Sequence, residues 1–233
     1  MNPLPVCSVR DARKGFSLVE LLVVISIIVI ILTFTIPATT GLFRGSLLTQ
    51  GSQMLGDQFA LARQMALTRN HPVELRFFKF SDPEVPGEGT DIEGGKYRAF
   101  QCFEVLHNGV YVPVGKFQML PMTVIISEGQ LSSIISSAPN GPVKGSADPT
   151  SPVLPRKIER NYQYVAFRFM PDGSTDLPLN GASAGNWFMT LHGIDLGASP
   201  TNARAKGGGT INYFTIQIDP VTGTSRTFRP TAG

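Results

Sequence analysis

Histidine, cysteine and tryptophan are scarce in this chain of 233 residues, which holds three, two and one of them. His71, His107 and His192 form no HExxH motif and no paired ligand spacing, so no metal centre is expected, and surface or loop positions are the plainer reading. Cys7 and Cys102 are too few to read as a disulfide framework. Charged residues make up only 16%, and a formal net charge of +3 gives no argument for a nucleic-acid partner. No GxSxG is present, and Ser, His and Asp are too dispersed for a catalytic triad. Gly207-Gly208-Gly209 lacks the following Lys-Ser/Thr of a phosphate-binding loop and reads as a flexible linker. No enzymatic activity, cofactor or internal repeat is therefore expected.

What the chain does have is one long apolar run. Residues 16–36 number 21, and at about 1.5 Å rise per residue a helix of that length spans roughly the 30 Å hydrocarbon core of a bilayer. Arg10, Arg13 and Lys14 precede the run closely and the first charge beyond it is Arg44, so the positive-inside rule keeps the N-terminus cytoplasmic and exports the rest. A cleaved secretory signal is the rival interpretation. Against it, the run is long for a signal core, and 35–39 is a poor small-x-small cleavage site. One residue breaks the run: Glu20, an acid whose burial at the bilayer centre costs about 2.5–3.5 kcal/mol and somewhat less near an edge. Such a group needs a partner.

Gly15-Phe16 followed by Glu20, with a basic leader before and an apolar stretch after, resembles the processing and assembly signal of type IV prepilins and type II secretion pseudopilins. The resemblance implies that a prepilin peptidase cuts after Gly15 and methylates the new Phe16 amine. It also implies that Glu20 pairs with the terminal amine of a neighbouring pilin or pseudopilin subunit as a filament assembles. Chemistry agrees with these roles. Gly15 offers a permissive backbone to a protease, the cut creates a cation at Phe16, and a paired buried carboxylate costs far less than a lone one. Cutting there removes three cations and one anion, leaving the mature chain near neutral. Cys7 would leave with the leader, stranding Cys102, which reads as a small hydrophobe buried in a strand.

Beyond Pro37 the pattern turns amphipathic. Leu47, Leu48, Gly51, Met54, Leu55, Phe59, Ala62, Met65 and Ala66 recur at three- and four-residue steps, which predicts one helix continuing to about Asn70, with Arg69 in its last turn and Pro72 forbidding more. Pro37 should kink this helix or loosen its ladder. Pilins commonly carry a proline at this distance from the mature start. Gly41, Gly45, Gly51 and Gly56 weaken helix propensity by about 1 kcal/mol each, so stability must come from packing.

Strands are predicted at 73–80, 97–106, 110–114, 117–120, 124–127, 162–170, 187–191, 211–218 and 224–228. Asn108-Gly109 marks a hairpin, and 171–173 and 219–223 mark turns. In 73–80 the alternation is only approximate, because Phe78 and Phe80 add apolar weight to the second face. Long loops are expected at 81–96, 128–158 and 193–210, the second of these partly mobile. The fold class is thus α+β, a long N-terminal transmembrane-to-amphipathic helix packed on an antiparallel sheet, with leader 1–15, span 16–36, amphipathic continuation 37–71 and β-rich domain 72–233.

Finer motifs carry a finer resemblance. Residues 60–73 (ALARQMALTRNHPV) look like the helix-to-first-strand passage of minor pseudopilins of the GspH and FimT kind, and 169–174 (FMPDGS) and 216–223 (IQIDPVTG) look like their late turns. The insertions at 81–96 and 128–158 depart from that pattern, and the Verru_Chthon cassette proteins are a second relative that the chain resembles. The resemblance implies a structural subunit in the bacterial inner membrane, served indirectly by an assembly platform and ATPase. A DNA-uptake or adhesion minor pilin, holding ligand on exposed loops, is the second reading open here. Arg204, Lys206, Arg226 and Arg229 would serve it, but no interleaved aromatics support a single-strand platform, and solvated strand charges are preferred. Asp82, Glu84, Glu88, Asp91 and Glu93 are spaced too irregularly for a calcium loop and read as a solvated acidic segment.

Overall fold

The computed structural model describes residues 17–85, 88, 94–136, 142–147, 153–155, 158–179, 187–194 and 212–229, with the side chains of 34–42, 44 and 130 outside that description. The chain divides into two compact units, Met1–Phe43 and Arg44–Gly233. Helix α1 (Leu18–Arg69) contributes to both. It stops where the sequence places the stop: Asn70 takes φ 55, a left-handed residue that ends a helix, and Pro72 cannot continue one. α1 passes through position 37 as helix. The Pro37 side chain, and with it the expected kink, lies outside the described residues.

Among the described residues nine antiparallel strands follow: β1 (Val73–Phe80), β2 (Lys96–Val105), β3 (Tyr111–Met119), β4 (Val124–Ile126), β5 (Val143–Ser146), β6 (Gln163–Phe169), β7 (Trp187–Gly193), β8 (Tyr213–Ile218) and β9 (Ser225–Phe228). They make one sheet in the order β5-β6-β1-β2-β4-β7-β8-β9, with β3 paired to β2 off that path. β1 is paired on both sides, Val73 facing Glu104 on β2 and Phe169 on β6, with a register shift against β2 between Phe78 and Lys79.

The second half of α1 covers one face of this sheet. Leu55, Phe59, Ala62 and Ala66 on the helix join Val73, Leu75 and Phe77 of β1, Phe100 and Cys102 of β2, and Phe167 and Phe169 of β6 in one buried core. Phe59 sits at its centre, with its ring 6.1 Å from that of Phe77 and 6.0 Å from that of Phe167. Burying one such side chain contributes about 1.5–3 kcal/mol. Gly51 lets the helix approach closely, since a β-carbon there would stand 3.1 Å from Val124. The low helix propensity of its glycines is thus offset by packing.

The opposite face is also covered, which is why β1 alternates poorly. Phe78 and Phe80 lie in a second buried cluster with Ala99, Phe103, Leu154, Ile158 and Tyr162. Much of that cover comes from 128–158, expected to be a long, partly mobile loop. Its described residues instead hold a 3-10 turn (Gly129–Leu131), helix α2 (Ser133–Ser136) with Ile134 and Ile135 buried, and β5, which extends the sheet beside β6. Two strands expected at 110–114 and 117–120 are one strand, β3. Its register against β2 shifts between Phe100 and Cys102, beside Gly115 at φ 80, so an irregularity rather than a loop joins the halves. β7 runs two residues past the expected end at 191.

Candidate functional site

Gly15 and Phe16, the expected cleavage and methylation positions, lie outside the described residues, as do Arg204, Lys206, the three glycines 207–209, Asp91 and Glu93. Glu20 is described. It occupies the first turn of α1, exposed to solvent, and among the described residues no ion-pair partner meets it. The large side chains around it, from 18 to 32, are all between 46% and 81% exposed, and because they are consecutive they clothe every side of the helix. A helix apolar all round is built for lipid or for a bundle of like helices. The two hydroxyls described in this stretch fit that setting: Ser26 Oγ donates to the Leu22 carbonyl at 2.9 Å and Thr33 Oγ1 to the Val29 carbonyl at 2.7 Å, so neither needs water. Among the described residues, no helical stretch is both long and apolar enough to cross a membrane. Residues 18–33 number 16, about 24 Å of helix.

Sequence reasoning missed one local feature of Glu20. Ser17-Leu18-Val19-Glu20 has the S-x-x-E spacing of a helix start, and the Leu21 amide already donates to the Ser17 carbonyl at 3.1 Å. The positive end of the helix dipole offsets about 0.3–1 kcal/mol for an acid there. That is less than an unpaired acid costs at the bilayer centre, so the helix end by itself does not replace a cation partner.

The three motifs of the finer resemblance, 60–73, 169–174 and 216–223, converge on Arg63. Its Nε donates to the Thr222 carbonyl at 2.8 Å. Beside it the two turns touch: a β-carbon on Gly223 would lie 2.2 Å from the Gly173 oxygen, and one on Gly173 would lie 3.2 Å from Arg63 Nη2. Each turn is closed by its own carboxylate. Asp172 accepts from Ser174 Oγ and N at 2.6 and 2.9 Å; Asp219 accepts from the Val221 amide at 3.0 Å and from Thr222 Oγ1 at 2.9 Å. These bonds hold both carboxyls below their ordinary range. Neither turn motif is catalytic in form. Together they fasten the helix to the late strands.

One expectation about charge is corrected. The acidic segment is not simply solvated: Asp82 is buried, and Glu88 accepts from Arg98, whose side chain is 3% exposed. Asp82 Oδ2 stands 4.0 Å from Arg98 Nη1. A buried guanidinium must be paired, and these two acids turn inward to do it. His71 lies in the link between α1 and β1, as a loop residue, and is held there by an acid. Its Nδ1 lies 2.7 Å from Glu104, which also accepts from Arg69 at 2.5 Å, and these two donors hold the Glu104 carboxyl below its ordinary range.

Sequence reasoning also overlooked a polar network on the second face. Glu74 accepts from Arg76 at 2.6 Å and Arg168 at 2.9 Å, while the Arg76 guanidinium lies 4.4–4.7 Å from the ring centroids of Phe103, Tyr111 and Tyr164. Its alternation with Phe78 on β1 was the available signal. Cys102 is fully buried, its thiol pushed up to about 11 by burial, against a lowering hydrogen bond from Gln58 at 2.9 Å. Of the C-terminal basic group, Arg226 is exposed on β9, and Arg229 donates to Asn212 and lies 5.0 Å from the Phe214 centroid.

Residues 10–36 match the family model described as the prokaryotic N-terminal methylation motif. No match is found among curated proteins. Among solved structures the chain is similar to the minor pseudopilin EpsH from the Type 2 Secretion System of Vibrio cholerae, with 7% identity, 78% of this chain and 97% of that chain covered, and a TM-score of 0.38. The chain thus joins a segment that matches the methylation motif to a helix followed by an antiparallel sheet.

Proposed function

We propose that this chain is a structural subunit, a minor pseudopilin of the GspH and FimT kind, of a type II secretion or type IV pilus-like filament. A prepilin peptidase cuts after Gly15 and methylates the Phe16 amine. Before assembly, 16–36 anchors the subunit in the inner membrane, with Arg10, Arg13 and Lys14 holding the N-terminus in the cytoplasm and the sheet domain outside. On assembly the helix leaves lipid for a bundle of like helices, where packing rather than the hydrophobic effect holds it. Glu20 then meets the terminal amine of a neighbouring subunit and sets the register. Pro37 relaxes the helix just beyond the span. The platform protein and ATPase act on the assembly rather than on the folded domain.

One observation carries this reading: Glu20 stands exposed in an otherwise apolar helix surface, inside the segment that matches the methylation motif. The test is cysteine crosslinking between co-expressed subunits for the wild type and for Glu20→Val. The variant should insert in the membrane normally and lose its crosslinks to neighbours; crosslinking at the wild-type level would rule out the pairing.

A further inference from the structure

We propose that His71 and His107 bind a divalent transition-metal ion of the class imidazole prefers, with Zn2+ as the representative. The two lie 36 positions apart in sequence, which is why no ligand spacing announces them. In the fold, the short link from α1 to β1 and the turn joining β2 to β3 bring them together, with ring centroids 4.7 Å apart and planes at 78°.

Glu104 decides which nitrogen faces the ion. A carboxylate oxygen accepts, so at the 2.7 Å contact the His71 Nδ1 is the donor. A neutral imidazole protonated at Nδ1 has its lone pair on Nε2, and among the described residues that nitrogen has no hydrogen-bond partner. A carboxylate behind a histidine is the arrangement that orients and strengthens histidine ligands in metal sites. His107 is exposed and can turn about its side chain. With each nitrogen about 2.0–2.1 Å from an ion, rings at this separation can share one. Arg69 adds no net repulsion, since Glu104 neutralises it at 2.5 Å. Among the described residues no three ligating side chains converge, so the shell is completed by water or by a group from another subunit. The bound ion ties the end of α1 to the β2–β3 turn.

The test is equilibrium dialysis of the untagged full chain in detergent against Zn2+, with Mg2+ as the hard-ion control and metal read by mass spectrometry. The wild type should bind one Zn2+ per chain and no Mg2+. His107→Ala should weaken binding at least tenfold, Glu104→Gln about tenfold through the lost orientation, and His192→Ala should leave it unchanged. His107 is exposed, so its variant keeps the fold and decides the matter even if His71→Ala does not. Undiminished Zn2+ binding by His107→Ala, or no saturable binding by the wild type up to millimolar Zn2+, overturns the proposal.

Discussion

Replacing Phe59 by alanine probes the joint between helix and sheet more sharply than any other single change. Phe59 is 1% exposed and lies against Phe77 of β1 and Phe167 of β6, at 6.1 and 6.0 Å between ring centroids. Phe to Ala in a packed core costs about 3–5 kcal/mol, the lost burial plus the cavity left behind. That is a large part of the roughly 5–15 kcal/mol by which a domain is stable. With a urea slope of about 2–3 kcal/mol/M, the midpoint should fall by about 1–2.5 M. The control is Leu61→Ala, two residues further along the helix and 40% exposed, which should cost under about 0.5 kcal/mol. Urea titrations of the full-length variants in detergent, followed by tryptophan fluorescence from the buried Trp187, give both midpoints. If Phe59→Ala moved the midpoint no more than Leu61→Ala, the second half of α1 would not be packed on the sheet as described.

Three further outcomes follow from the same geometry. Gly223→Ala combines a left-handed backbone at φ 64 with a β-carbon 2.2 Å from the Gly173 oxygen, whereas Gly109→Ala, at φ 78, meets nothing. The first should lower the melting temperature well beyond the second, whose cost is only the conformational 1–2 kcal/mol or so; equal losses would remove the contact between the two turns. Cys102, buried with its thiol raised to about 11, should resist maleimide in the native chain and react at once in denaturant, and rapid native labelling at neutral pH would contradict its burial. Asp172 and Asp219 have folded values below the ordinary 3.8, so their contribution is present above that pH and is lost as pH falls through the lowered values. Asp172→Asn with Asp219→Asn should flatten the fall of stability below about pH 4, and an unchanged slope would deny the two turns that role.

Local signals carried far along this chain. Arg69, Asn70 and Pro72 mark the end of α1 because a left-handed residue and a proline leave a helix no way on. Phe78 and Phe80 announced apolar weight on the second face of β1 for the same reason that they are buried there. What composition could not show is which partners lie far off in sequence. Arg98 draws Asp82 and Glu88 inward, and Arg63 reaches Thr222 across 159 positions. Segment 128–158 looked like a loop because Ser, Gly and Pro dominate it, yet a few apolar residues, among them Ile134, Ile135 and Leu154, suffice to seat its described parts. At the candidate site the residue types and spacing around Glu20 were legible from the start, since chemistry near a chain terminus depends on neighbours in sequence. The Glu104 cluster, assembled from a helix end and a hairpin, was not.

The most direct test is intact-mass and N-terminal peptide spectrometry of the protein recovered from membranes of a host with an active prepilin peptidase. The account predicts a chain that begins at Phe16, heavier there by one methyl group. A chain still beginning at Met1, or cut beyond position 36, would leave Glu20 without the amine it is proposed to meet.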